Sequence, residues 1–121
     1  MTHIPPLKHF SLTEFQCPCC GLMLMDPYFL KKLDLARDYA GVPFVITSGF
    51  RCKRHNEAVG GKPDSAHLKG KAADIACTSS HRRWLIVRSL IQAKFSRIGI
   101  GHDFIHVDDD PDKVKGVIWL Y

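Results

Sequence analysis

Apolar and polar positions along the chain predict two long helices and a set of short strands. Ser11-Leu12-Thr13-Glu14 has the form of a capping box, in which the serine hydroxyl accepts from the amide three residues on and the glutamate reaches back, so a short helix is expected to start there. Asp26 before Pro27 is an N-cap with proline at the first helical position. Tyr28, Leu30, Leu33, Leu35 and Tyr39 then supply an apolar face up to a stop at Gly41, which predicts a helix over 27–40. The β-branched and aromatic run 42–47 reads as a buried strand. The following segment, 48–71, holds glycines, a proline and many polar residues without a period, and is expected to be a long functional loop. Residues 72–76 form a small-residue strand, and Ser79 or Ser80 caps a second helix through about residue 95, with Trp84, Leu85, Val87, Leu90 and Ile91 inward. Strands over 97–101 and 104–108 are joined by His102-Asp103, and a strand over 117–121 follows. Helices and strands do not alternate strictly, which predicts an α+β fold: an antiparallel sheet backed by helices.

Composition narrows the class. The 121 residues, 45% hydrophobic and 24% charged, suit one compact domain over 1–121 and argue against disorder. The net charge of +5 comes from scattered rather than striped Lys and Arg, so nucleic acid is not the expected partner. No apolar run approaches the roughly 20 residues needed to span a bilayer, and the first residues lack a secretory pattern, so the expectations are no membrane insertion and synthesis in the cytoplasm. The five cysteines are odd in number, and three crowd into Cys17-Pro18-Cys19-Cys20, a poor disulfide framework. Cys17-x-x-Cys20-Gly21 resembles half of a structural zinc site, but such a site needs four ligands. Cys52 and Cys77 are isolated in the sequence, so reduced thiols packed in the core are expected. His9, His55 and His81 read as solvated or locally hydrogen-bonded.

The chemistry concentrates in Ser65-Ala66-His67-Leu68-Lys69-Gly70-Lys71-Ala72-Ala73-Asp74 and in the later Phe104-Ile105-His106-Val107-Asp108. Two imidazoles and a carboxylate make a three-ligand set that would leave the fourth position of a zinc ion to water. If Ile105 and Val107 point into the core, His106 and Asp108 share the opposite face of their strand. From residue types alone, surface or satisfied core histidines and a capping aspartate explain the same letters.

The pattern Ser-x-His-x-x-Gly-x-Ala-x-Asp followed by Phe-Ile-His-Val-Asp resembles the signature of the zinc D-alanyl-D-alanine carboxypeptidases and the phage L-alanyl-D-glutamate endolysins, whose fold is shared with the hedgehog domain. Ile46-Thr47-Ser48-Gly49-Phe50-Arg51 with Asn56, and Phe10-Ser11-Leu12-x-Glu14-Phe15, extend the likeness over nearly the whole chain. The resemblance implies Zn2+ held by His67, Asp74 and His106, and Asp103 as general base, where the better-known enzymes often carry Glu. It implies Arg51 as a substrate or oxyanion contact, and Ser65 as a second substrate-binding residue. Asp108 could orient His106 instead. The implied substrate is peptidoglycan stem peptide, cut either at terminal D-Ala-D-Ala or within the stem. The expected setting is a monomeric phage or prophage enzyme that reaches the wall on release or through a holin-type pore. The competing expectation is a non-catalytic, zinc-containing wall-binding module on the same fold.

Overall fold

The computed structural model describes residues 6–121. Its first element is a single 3-10 turn, η1 (Leu12–Phe15), where the Glu14 carboxylate accepts from the Ser11 amide at 2.7 Å as the capping box predicts. Helix α1 (Pro27–Ala40) starts where Asp26 accepts from the Phe29 amide at 3.2 Å and stops at Gly41, which adopts a left-handed φ of 68°. Its buried stripe is Phe29, Leu30, Leu33, Ala36 and Ala40, while Tyr28, Leu35 and Tyr39 are exposed. The expected face was therefore rotated. The stripe through 29, 33, 36 and 40 keeps helical spacing, and its alanines leave room for helix α3 (Ser80–Gln92), which packs beside it.

Helix α3 begins where the Ser79 hydroxyl accepts from the Arg82 amide at 3.1 Å. It buries Ile86, Ser89 and Leu90 and packs Val87 against the core, so Leu90 and Val87 face inward as expected while Trp84 and Ile91 are exposed. Trp84 stacks with His81 and carries the Arg88 guanidinium over its ring, so it is satisfied at the surface. The segment 48–71 is not wholly irregular: it holds helix α2 (Lys53–Ala58) and a 3-10 turn, η2 (Ala66–Lys69).

The strands are β1 (Ile46–Ser48), β2 (Ala72–Ala76), β3 (Arg97–Ile100), β4 (Phe104–Asp108) and β5 (Val117–Leu120), in the sheet order β1-β2-β4-β3-β5. β1 is shorter than the apolar run 42–47 predicts, because Pro43 lacks an amide donor and the register slips between Ile46 and Ser48. Every pairing is antiparallel except β3 with β5, which makes the sheet mixed. The cause is where β4 ends. Asp108 pairs with Arg97 at the start of β3, so a chain returning to the outer side of β3 must run in the same direction as β3.

Successive strand residues alternate between two faces. Ala73, Ile75, Ile98, Ile105 and Val107 face α1 and α3 and join Phe29, Leu30, Leu33 and Leu90 in one core. On the other face Asp74, His106, Gly99 and Trp119 stand directly opposite one another on four neighbouring strands. That row is the floor of the site.

Candidate metal centre

His67 is delivered by η2. The Ser65 hydroxyl caps this turn by accepting from the His67 amide at 3.2 Å, and Gly70 ends it with a left-handed φ of 69°. Only glycine fits position 70, because a Cβ there would lie 1.9 Å from the Leu24 carbonyl oxygen. Asp74 and His106 come from the paired strands β2 and β4. One Asp74 oxygen lies 2.9 Å from His106 Nδ1 and 3.3 Å from His67 Nε2, and one donor atom from each of the three residues lies within 4.8 Å of the other two.

The other nitrogen of each imidazole is already engaged. His67 Nδ1 lies 2.7 Å from the Gly49 carbonyl oxygen and His106 Nε2 lies 2.7 Å from an Asp108 carboxylate oxygen; both partners are acceptors, so each nitrogen carries the proton. His106 Nδ1 also faces an acceptor, the Asp74 carboxylate at 2.9 Å, so it too carries a proton that a metal would have to displace. The nitrogens turned toward Asp74, His67 Nε2 and His106 Nδ1, are the ones that would then ligate. With that proton displaced the donor set fits zinc: two neutral imidazoles and an ionised carboxylate, with outer hydrogen bonds that orient them.

Burial alone would raise the Asp74 carboxyl, but hydrogen bonds and charge from His106 and His67 outweigh it and hold Asp74 well below the usual carboxylate range. Burial would lower the His106 imidazole, yet Asp108 and Asp74 on its two nitrogens push it up. Asp108 is buried, and burial acts to raise its carboxyl. The His106 hydrogen bond, the Asp110 amide and Arg97, whose Nε is 2.8 Å away, together lower it.

The three donors open into a cleft of about 510 Å3 that Arg51 also lines. Arg51 is anchored by the residues around it. It is half-buried, donating from Nε to Ser48 Oγ at 2.9 Å, from one terminal nitrogen to Asn56 Oδ1 at 3.3 Å, and from the other to the second Asp74 oxygen at 3.4 Å. Ser65 lines the cleft while capping η2. Asp103 is placed apart from this group. It lies exposed in the β3–β4 turn, is not among the cleft-lining residues, accepts through its backbone carbonyl from the Cys77 amide at 2.9 Å, and its carboxylate has no ion-pair partner among the described residues.

Sequence reasoning missed the far wall. Trp119 and Tyr121 line the cleft, with ring centroids 5.6 and 6.4 Å from that of His106. Gly99 makes room for them: a Cβ there would lie 2.6 Å from the Tyr121 ring and 2.8 Å from that of Trp119. Arg97 lies over Trp119 and pairs with Asp108, so the wall is tied to the His106 support. Alternation along β5 puts Trp119 and Tyr121 on one face, but only the pairing with β3 identifies that face as the site's.

Donors that converge on one point, with an open cleft above, make this a candidate metal centre with room for a substrate. The family follows from the sequence match: the Peptidase M15 profile covers residues 8–108, most of the chain, and the protein belongs to that family. It is a metallopeptidase; its family is zinc-dependent and acts on peptidoglycan peptides. The matched stretch contains Arg51, His67, Asp74, Asp103 and His106, while β5 lies beyond it. No curated protein matches the chain. Among the described residues no helix is long and apolar enough to cross a membrane.

Proposed function

We propose that the protein hydrolyses an amide bond in the stem peptide of peptidoglycan, with zinc held by His67 Nε2, His106 Nδ1 and Asp74. The observation that carries this reading is the convergence of those three donors, with both imidazoles set by acceptors on their far nitrogens. Zinc bound there supplies Lewis acidity and lowers the pKa of water. Arg51 faces the cleft with a fixed guanidinium, suited to negative charge on the scissile carbonyl oxygen or to a terminal carboxylate. Trp119 and Tyr121 form a wall of aromatic rings against which a peptide can lie. The Ser65 hydroxyl spends its lone pair on the His67 amide and keeps its proton to donate to substrate.

The resemblance alone gives Asp103, three residues ahead of His106, the proton shuttle, and its exposed place outside the cleft lends that role no support. Asp108, hydrogen-bonded to His106, orients that imidazole. The chain acts as a monomer in a phage or prophage lysis system and meets the wall after release from the cytoplasm.

The deciding experiment is digestion of purified muropeptides followed by mass measurement of the fragments. Loss of a terminal D-Ala identifies a carboxypeptidase, and a cut between L-Ala and D-Glu an endopeptidase. Activity should vanish in His67→Ala and His106→Ala together with bound zinc. Saturable binding of peptidoglycan with no new fragment at any zinc level would establish the binding module instead.

A further inference from the structure

The cysteines set aside by the sequence reading meet in space. Cys17-Pro18-Cys19-Cys20-Gly21 folds into a tight knuckle: the Cys17 amide donates to the Leu22 carbonyl at 2.8 Å, and the Gly21 amide to the Cys17 carbonyl at 2.8 Å. Gly21 closes it with a left-handed φ of 74°. Cys52, isolated in the sequence, stands immediately ahead of α2 and points back at this knuckle. Its sulfur lies 3.6 Å from that of Cys17, and the thiols of Cys17, Cys20 and Cys52 all lie within 4.8 Å of one another. Four thiolates held tetrahedrally at about 2.3 Å from zinc stand roughly 3.8 Å apart. The Cys17–Cys52 separation of 3.6 Å is close to that, and the pairs with Cys20 lie within 4.8 Å. The sulfurs also accept backbone hydrogen bonds, Cys17 from the Cys52 amide at 3.5 Å and Cys52 from the His55 amide at 3.4 Å, the outer contacts that orient thiolate ligands.

Packing in a reduced core does not account for the cluster. Cys17 is buried and Cys52 packs partly against the core, but Cys20 is exposed, so core packing gives no reason for its thiol to stand beside the other two. We propose that Cys17, Cys20 and Cys52 hold a second, structural zinc ion, separate from the one assigned to His67, Asp74 and His106. Two further donors flank the cluster as candidates for the fourth position. Cys19 stands close to Cys52, and His55 follows Cys52 by three residues.

The ion would tie the N-terminal segment to the loop that carries Arg51. That junction already includes the Phe50 amide donating to the Phe15 carbonyl at 2.9 Å and the Arg51 amide donating to the His67 carbonyl at 3.2 Å. The clamp thus holds the base of the catalytic loop without touching substrate.

Elemental analysis of protein purified in reductant without chelator tests this directly. Wild type should carry two zinc ions per chain, and His67→Ala/His106→Ala should keep one. A mercurial thiol reagent should release the retained ion, and cobalt in its place should give a thiolate charge-transfer band. Cys20→Ser and Cys52→Ser should lose that band while leaving the other site able to bind one ion. Should a cysteine variant fail to fold, the double histidine variant still decides. If that variant holds no zinc after reconstitution and all five cysteines titrate as free thiols, or if Cys17 and Cys52 are found joined as a disulfide, the second site does not exist. A missing first site would show instead as one mercurial-releasable ion in the wild type.

Discussion

His106 is held between two carboxylates, Asp74 on Nδ1 and Asp108 on Nε2. Asp108 is buried against His106 Nε2 and Arg97, so replacing it frees the imidazole to turn and leaves Arg97 unpaired. Asp108→Ala should therefore weaken zinc affinity roughly 10- to 100-fold, as loss of an outer ligand contact does. Asp103→Ala should leave zinc in place and lower turnover roughly 100-fold or more. Zinc titrations and kcat measured on both variants check this, and the reverse pattern would exchange the two roles. Arg51 belongs to the same scale. Its three side-chain hydrogen bonds to Ser48, Asn56 and Asp74 make Arg51→Ala costly to folding as well as to catalysis. We expect a fall of about 30- to 1000-fold in kcat/KM and a melting temperature lower by a few degrees, with poor rescue by Lys, which lacks the forked geometry. Comparing a substrate with a free terminal carboxylate against its amidated form shows whether Arg51 grips that group; an unchanged preference in the variant would exclude it.

Helix starts were legible because the capping bond itself is local: Asp26 and Ser79 each accept from an amide three residues on, although the Asp26 carboxylate also pairs with the distant Lys71 at 3.2 Å. Helix faces were not. Tyr28, Leu35 and Tyr39 are more apolar in bulk than Ala36 and Ala40, yet the alanines are buried because α3 lies there and small side chains let the helices approach. The loop 48–71 hid α2, a helix of six residues whose order comes from contacts such as that of Asn56, which is buried and donates to the Lys62 carbonyl at 2.8 Å. A segment this short has no stable helix of its own.

Across the whole molecule, the His67 turn and the segment after β4 are held together by one buried carboxylate. Asp110 is 0% exposed; it accepts from Lys69 at 2.8 Å and Lys113 at 2.7 Å, and from the Asp112 amide at 3.0 Å. Burial would raise this carboxyl, but the lysines and the amide hold it well below the usual carboxylate range. The unfolded chain titrates it near the ordinary value of about 3.9, so the stabilisation is complete above that pH and is lost as pH falls toward the lower folded value. Asp110→Asn should lower the melting temperature by roughly 5–10 °C at neutral pH, with the gap from wild type narrowing below about pH 4. Thermal unfolding at pH 7 and pH 3 measures this, and an equal gap at both values would show that charge is not the cause.

The sequence by itself determined the α+β class and the caps, because each rests on local spacing, the helical period and strand alternation, while the His67, Asp74 and His106 triplet was implied by the resemblance. The triplet was legible even though its members lie on three elements, since the resemblance spans them. Only the tertiary structure decided the rest. Register placed Gly99 and Trp119 in the row of His106, the return of the chain made β5 parallel to β3, and folding brought Cys52 to Cys17 from 35 residues away. Which face a residue joins and which distant residue it meets depend on how elements dock, and docking is settled by the shape of the shared core.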